Sequence, residues 1–160
     1  MAELRVALAA AGLADIDSFL QSGNLAVTTS VSPSELETIV SGVVKQSFGL
    51  EVASIVLEAA EFDEIDRSNS IYEPAMDPTR MVVITLREPP DAALVAESPL
   101  PDPGVGAVSL AGRFVYQWCP EGISNSIALT PWLERRWKVT ATARNWRTID
   151  RLRRVVTNEQ

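Results

Sequence analysis

The sequence predicts an α+β fold in which one short pattern of helices and antiparallel strands occurs twice. Three observations lead there. Helical and strand-like periodicities alternate along the chain, and two tight turns lie 89 residues apart, at Gly23 and Gly112, each preceded and followed by a helix. Between them, Met81 to Leu86 is an almost unbroken apolar run, which suits a central strand buried on both faces.

The opening helix spans residues 2 to 11, with Leu4, Leu8 and Ala11 on one face and Glu3 and Arg5 off it, and Gly12 ends it. Residues 15 to 21 and 24 to 29 read as strands joined by a hairpin turn at Ser22-Gly23. Ser32-Pro33-Ser34-Glu35 is the strongest local signal in the chain: a capping serine, a proline at the first helical position and a glutamate three residues after the cap. That helix runs to Ser47, Gly49 stops it, and Val52 to Leu57 follows as a strand.

A short helix from Ala59 to Asp66 and a loop holding Pro74 and Pro78 lead into the strand Met81 to Leu86. Asp91 to Ala96 forms a further short helix before the proline-rich stretch Pro99 to Pro103. Strands at Val105 to Leu110 and Arg113 to Trp118 flank the turn Ala111-Gly112, and helices at 126 to 137 and 148 to 156 finish the chain.

The order is then α-β-β-α-β in the first half and β-α-β-β-α in the second. Each lacks one strand of the β-α-β-β-α-β unit that makes a ferredoxin-like antiparallel sheet. Lys138 to Ala143 can supply the strand for the second half, whereas nothing precedes the opening helix of the first. The expected architecture is two tandem ferredoxin-like halves, residues 1–58 and 80–160, joined by a helix and loop at 59–79, with the first half missing its opening strand. The vacancy leaves open backbone groups on a sheet edge, through which a homodimer is expected.

Composition excludes whole classes of chemistry. With 46% apolar and 22% charged residues the chain is an ordinary globular protein rather than a disordered or fibrous one. It has no histidine, so a Ser/His/Asp triad, a Cys/His dyad and a histidine-ligated metal are all impossible within it. The single cysteine, Cys119, lies between Trp118 and Pro120 with no basic residue close by in sequence, and reads as a small buried hydrophobe rather than a reactive thiol. No apolar run approaches the length of a membrane span, and Met1-Ala2-Glu3-Leu4 carries no basic leader, so the expected place is the reducing cytoplasm, away from membranes.

The net charge of −7 conceals a division. Residues 1–134 carry 6 basic and 19 acidic side chains, whereas residues 135–160 carry 8 basic and 2 acidic ones. Such a basic tail either marks an anion or nucleic-acid site or packs on the acidic body and neutralises it. An acidic body disfavours nucleic acid as the partner.

Candidate functional residues fall in four places. Gln21, Ser22 and Asn24 set amide and hydroxyl groups on a tight turn suited to a polar ligand, although Ser, Gly and Asn are also what a turn requires for its backbone. Glu61, Asp63, Glu64 and Asp66 lack the alternating oxygen ligands and glycine of a calcium loop, so they read as a solvated helix face, and no metal is assigned. Phe114, Tyr116 and Trp118 alternate onto one face of a strand, where they either stack bases of a single-stranded nucleic acid or pack against helices. Arg144 and Arg147 precede Thr148, read as the N-cap of the last helix, so that guanidinium and free backbone N–H groups converge on one anion. Alternatively, Arg144 and Asn145 tie that helix to the acidic body.

Three segments carry a resemblance: Phe19-Leu20-Gln21-Ser22-Gly23-Asn24-Leu25, Pro120-Glu121-Gly122-Ile123 and Thr142-Ala143-Arg144-Asn145-Trp146-Arg147-Thr148. They resemble the signature segments of the bacterial family called domain of unknown function 1697, over nearly the whole chain. Members usually open with a strand and a glycine-rich loop before a Met-x-x-Leu-Arg helix, and this sequence resembles a member that starts at that helix, Met1 to Arg5. Arg147 stands where the family tends to have asparagine. The resemblance implies a fold and brings no reaction, substrate or cofactor. Together these readings give a binding domain without metal or cofactor, taking a small anion or nucleotide at Arg144, Asn145, Arg147 and Thr148 and at Gln21, Ser22 and Asn24. The alternative is a structural or oligomerisation module in which the same residues only hold the fold. No pair of carboxylates has a spacing that singles out acid–base catalysis, so no enzyme class follows.

Overall fold

The computed structural model describes residues 2–19 and 23–157. In chain order the elements are α1 (Ala2–Ala10), β1 (Ala14–Phe19), β2 (Asn24–Thr28), α2 (Pro33–Phe48), α3 (Ala59–Ser68), β3 (Met81–Leu86), α4 (Ala92–Glu97), β4 (Ala107–Ala111), β5 (Phe114–Trp118), α5 (Leu129–Trp137), β6 (Ala141–Asn145) and α6 (Trp146–Thr157). A single 3₁₀ turn, Ile123–Asn125, precedes α5. Helices and strands mix, and both sheets are antiparallel. No described helix is long and apolar enough to cross a membrane. The chain divides into two compact units, Met1–Glu58 with Leu152–Gln160, and Ala59–Arg151.

In the first unit, β1 and β2 form a two-stranded sheet with a register shift between Ala14 and Asp17. Asp15 takes φ 48 inside that shift, the positive-φ residue that a bulge accommodates. Helix α2 starts where the sequence signals it: the Ser32 hydroxyl accepts from the Glu35 N–H, Pro33 is the first helical residue, and Gly49 closes the helix through its N–H to the Lys45 carbonyl. Leu8, Leu13 and Leu36 form the buried centre, with Ile16, Leu25, Val27 and Val56 half-buried against it.

The expected strand at Val52 to Leu57 does not form; residues 51–58 belong to no ladder. A β-propensity becomes a strand only when a neighbour completes the hydrogen bonds. Here Glu37 of α2 takes that place: the Val56 N–H donates to its side-chain Oε1 at 3.0 Å and the Ser54 hydroxyl to its backbone carbonyl at 3.3 Å.

The second unit is built on a four-stranded sheet of order β4-β5-β3-β6. The central strand β3 is buried at all six positions, as its apolar run predicts. Val82, Ile84 and Leu86 face Leu129, Leu133 and Trp137 of α5 together with Leu94 and Val95 of α4. The opposite face is closed by α3, whose Phe62 and Ile65 are buried and whose Ile65 carbonyl accepts the Tyr116 hydroxyl at 3.0 Å. Burial on both faces is why β3 tolerates no alternation.

Several boundaries differ from the sequence reading, among them α5, which starts at Leu129 rather than 126. The last strand lies at Ala141–Asn145 rather than 138–143, because Lys138 takes a left-handed conformation, φ 55, that ends α5 and turns the chain first. Strand β4 begins at Ala107 rather than Val105, and the preceding Gly106 lies against the Trp118 carbonyl, where any Cβ would collide.

Candidate functional site

The segments 120–123 and 142–148 come together at one end of the second sheet, where β3 begins and β5 and β6 end. The loop Asp77-Pro78-Thr79-Arg80 joins them. Asp77 Oδ1 accepts the Thr79 N–H at 2.9 Å and the Thr79 hydroxyl at 2.7 Å, and the Arg80 N–H closes onto the Asp77 carbonyl at 2.9 Å. From this tight turn the Arg80 carbonyl receives the Cys119 N–H at 2.9 Å, and the Arg80 guanidinium donates to the Pro120 carbonyl. The Pro78 carbonyl receives the Arg147 N–H at 3.2 Å. Tyr72 stacks on Trp146 with ring centroids 4.7 Å apart.

The electrostatics follow from this geometry. The hydrogen bonds from Thr79 hold the Asp77 carboxyl below its ordinary range, and the charges of Arg80 and Arg147 add to the effect. Arg80 Nε lies 3.6 Å from Asp77 Oδ2. Asp77 thus already supplies negative charge beside Arg80 and Arg147.

Arg144, on the edge strand β6 opposite Val83, does not reach outward for a bidentate partner through Nη1. That nitrogen donates to Thr142 Oγ1 at 3.0 Å and to the Ala143 carbonyl at 2.8 Å, both on its own strand. Burial lowers the pKa of the guanidinium from its ordinary value.

Asn145, not Thr148, caps α6. Its Oδ1 accepts the Thr148 N–H at 3.0 Å and the Thr148 hydroxyl at 2.8 Å. The helix begins at Trp146, two residues before the expected start at 148, and Asn is as good a cap as Thr. Arg144, Asn145, Arg147 and Thr148 therefore share one junction, with Arg147 exposed and the others half-buried. Asn24 belongs to the first unit, where it is buried at the start of β2, opposite Phe19. Gln21 and Ser22 lie outside the described residues.

The other candidates resolve differently. Phe114 and Tyr116 are fully buried and Trp118 half-buried, so the reading of this face as a base-stacking platform is corrected: α3 covers it. Of the four acidic residues of α3, Glu61 is drawn into a bidentate pair with Arg113, Nε to Oε1 at 2.7 Å and Nη2 to Oε2 at 2.6 Å. Arg113 also donates to the carbonyls of Leu86 and Arg87 at 3.1 and 3.2 Å. Among the described residues no three Cys, Asp or Glu side chains gather where they could hold a metal ion. Cys119 is buried, and burial pushes its thiol up.

Sequence reasoning placed a loop at Pro74 and Pro78 but missed the part that Asp77 to Arg80 play in the site, and it missed the Arg113–Glu61 pair. The first had a readable signal, since Asp-Pro-Thr favours a turn in which the aspartate bonds its own backbone two residues on. The second had none, because 52 residues separate the partners.

Comparison with known proteins places the chain's likeness. A family model described as "Protein of unknown function (DUF1697)" matches residues 1–116. Among curated proteins nothing matches. Among solved structures, a conserved bacterial protein from Streptococcus pneumoniae is similar with a TM-score of 0.74 at 20% identity, covering 98% of this chain and 88% of that one. At that identity the likeness speaks for the fold.

Proposed function

Since the chain belongs to the DUF1697 family of proteins of unknown function, membership brings no activity, and we propose from the geometry that it is an assembly module. Arg144, Asn145, Arg147 and Thr148 hold the end of its second sheet together rather than receive a ligand. The observation that carries this is the use already made of the donors an anion would need. The Arg147 N–H is taken by Pro78 and the Thr148 N–H and hydroxyl by Asn145, so the first turn of α6 offers no free set of N–H groups. Arg144 meanwhile folds onto a carbonyl of the edge strand β6, a charged side chain blunting an edge.

The test is the pair Arg144→Lys and Arg144→Ala under thermal unfolding, with and without inorganic phosphate. On the assembly reading both variants melt lower and phosphate shifts neither them nor the parent chain at moderate salt. A phosphate-dependent rise in the parent that Arg144→Lys abolishes would sink it.

One observation favours a second reading, a small carboxylate or phosphate held by side chains alone. Arg147 is exposed, and its charge acts with that of Arg80 on the Asp77 carboxylate, so two cationic side chains serve one anionic one. Phosphate stabilisation lost in Arg147→Ala but kept in Arg144→Lys would point there.

The same assembly reading extends to the architecture. The element order β3-α4-β4-β5-α5-β6 and the sheet order β4-β5-β3-β6 support taking the second unit as ferredoxin-like. The run α1-β1-β2-α2 supports taking the first unit as a partial counterpart of it. An open sheet edge in either unit is where a second copy would add.

A further inference from the structure

We propose that two copies of this chain pair through strand β4, antiparallel about a twofold axis at Ser109, joining their second sheets into one. The proposal rests on the assembly reading and deepens it by naming the partner and the surface. Three independent features of β4 meet here.

First, β4 is an edge: among the described residues it pairs only with β5. Ala107-Val108-Ser109-Leu110-Ala111 has no charge, no proline and no bulge, the devices by which edges are kept from pairing. The opposite edge is built the other way. There β6 carries Arg144, whose guanidinium sits on the Ala143 carbonyl. In the first unit β1 carries Asp15, Asp17 and a register shift. The sheet edges differ in kind.

Second, Ser109 at the middle of β4 holds a hydroxyl oxygen that is buried and without a hydrogen-bond partner. A buried orphan hydroxyl is destabilising in a lone chain. Antiparallel pairing centred on Ser109 sets it opposite Ser109 of the second copy. Directly opposed Cα atoms lie about 4.5–5.5 Å apart, near enough for the two hydroxyls to bond once each rotates about its Cα–Cβ bond from its buried position toward the partner strand. The strand β2, equally free of charge, holds no such group.

Third, the sequence of β4 is self-complementary about that point. Ala107 falls opposite Ala111 and Val108 opposite Leu110, so small meets small and branched aliphatic meets branched aliphatic. An isologous contact demands this of a patch that must fit itself. Val105, just before the strand, is 73% exposed and would be covered as the strands join.

The register makes the proposal testable by position. The full chain is studied by sedimentation equilibrium over a range of concentrations, alongside single-cysteine substitutions treated with oxidised glutathione. Each cross-link takes two protein thiols to one disulfide while the glutathione disulfide is reduced to two thiols, and the native Cys119 is buried. The mass is expected to rise toward twice that of one chain as concentration increases. Ser109→Cys chains should form a disulfide-linked pair, whereas Val108→Cys alone and Leu110→Cys alone should not. Mixed together, Val108→Cys and Leu110→Cys should cross-link to each other, which keeps the register testable if Ser109→Cys fails to fold. A single-chain mass at every concentration overturns the proposal. So does cross-linking that ignores position. Phosphate stabilisation dependent on Arg144 would instead remove the assembly reading of the β6–α6 junction and leave the sedimentation result to stand by itself.

Discussion

Lys138 holds a conformation that an L side chain takes reluctantly. Its φ of 55 closes α5 in the left-handed region, where glycine is the usual occupant, and its side chain is exposed. Lys138→Gly is therefore expected to raise stability by about 0.5–1 kcal/mol, read from the midpoint of urea unfolding. Tyr116 shows the opposite case, a side chain whose environment suits one protonation state. Burial raises its phenol to about 12, while its hydroxyl donates to the Ile65 carbonyl and pairs with Ser68 at 2.8 Å. A folded-state pKa above the unfolded value of 10.0 means stability that is complete below pH 10 and falls as pH rises toward about 12, where the unfolded chain loses its proton first. Tyr116→Phe should destabilise by about 1–2 kcal/mol at neutral pH. It should also lose stability less steeply than the parent across that alkaline window, as measured by unfolding at a series of pH values.

Elements depend on caps that tertiary neighbours select. Helix α6 begins just after Asn145 because β6 delivers that residue beside Val82 at the end of the ladder, and its Oδ1 then meets the Thr148 N–H. Asn145→Ala should cost about 1 kcal/mol, and Asn145→Asp should retain most of the stability, since both Asn and Asp cap well. Equal losses in the two variants would mean that Asn145 acts through the ladder rather than through the cap. Helices α2 and α4 are simpler: Ser32 caps α2 as its sequence signals, and Asp91, expected as the first helical residue, caps α4.

At the scale of the whole molecule the two units are unequally packed. The second buries β3 on both faces, together with Phe114, Tyr116, Leu129, Leu133 and Trp137. The first has Leu8, Leu13, Leu36 and Val44 as its buried apolar side chains among the described residues, beneath a two-stranded sheet. Local opening free energy follows burial, so native-state hydrogen exchange should be slowest in β3 and faster in β2 by about tenfold or more, equivalent to about 1.4 kcal/mol. Equal protection of the two strands would show that the units unfold together.

The local grammar of this protein was legible in its residues. Ser32-Pro33-Ser34-Glu35 opens α2, Gly49 closes it, and Met81 to Leu86 is a strand buried on both faces, because these signals act within a few residues of themselves. The exclusion of histidine chemistry was equally plain, being a matter of composition. What only the tertiary structure decided is everything that needed a partner distant in sequence. Val52 to Leu57 has strand residues and no ladder, since pairing is a property of two segments. Phe114 and Tyr116 became core when α3 covered them, and Glu61 became half of an ion pair when the fold carried Arg113 to it. The same holds for the candidate site: Arg144, Asn145, Arg147 and Thr148 were readable as a cluster of donors, but hydrogen bonds have directions. Only the fold could show that Pro78, Thr142, Ala143 and Asn145 itself were already their acceptors.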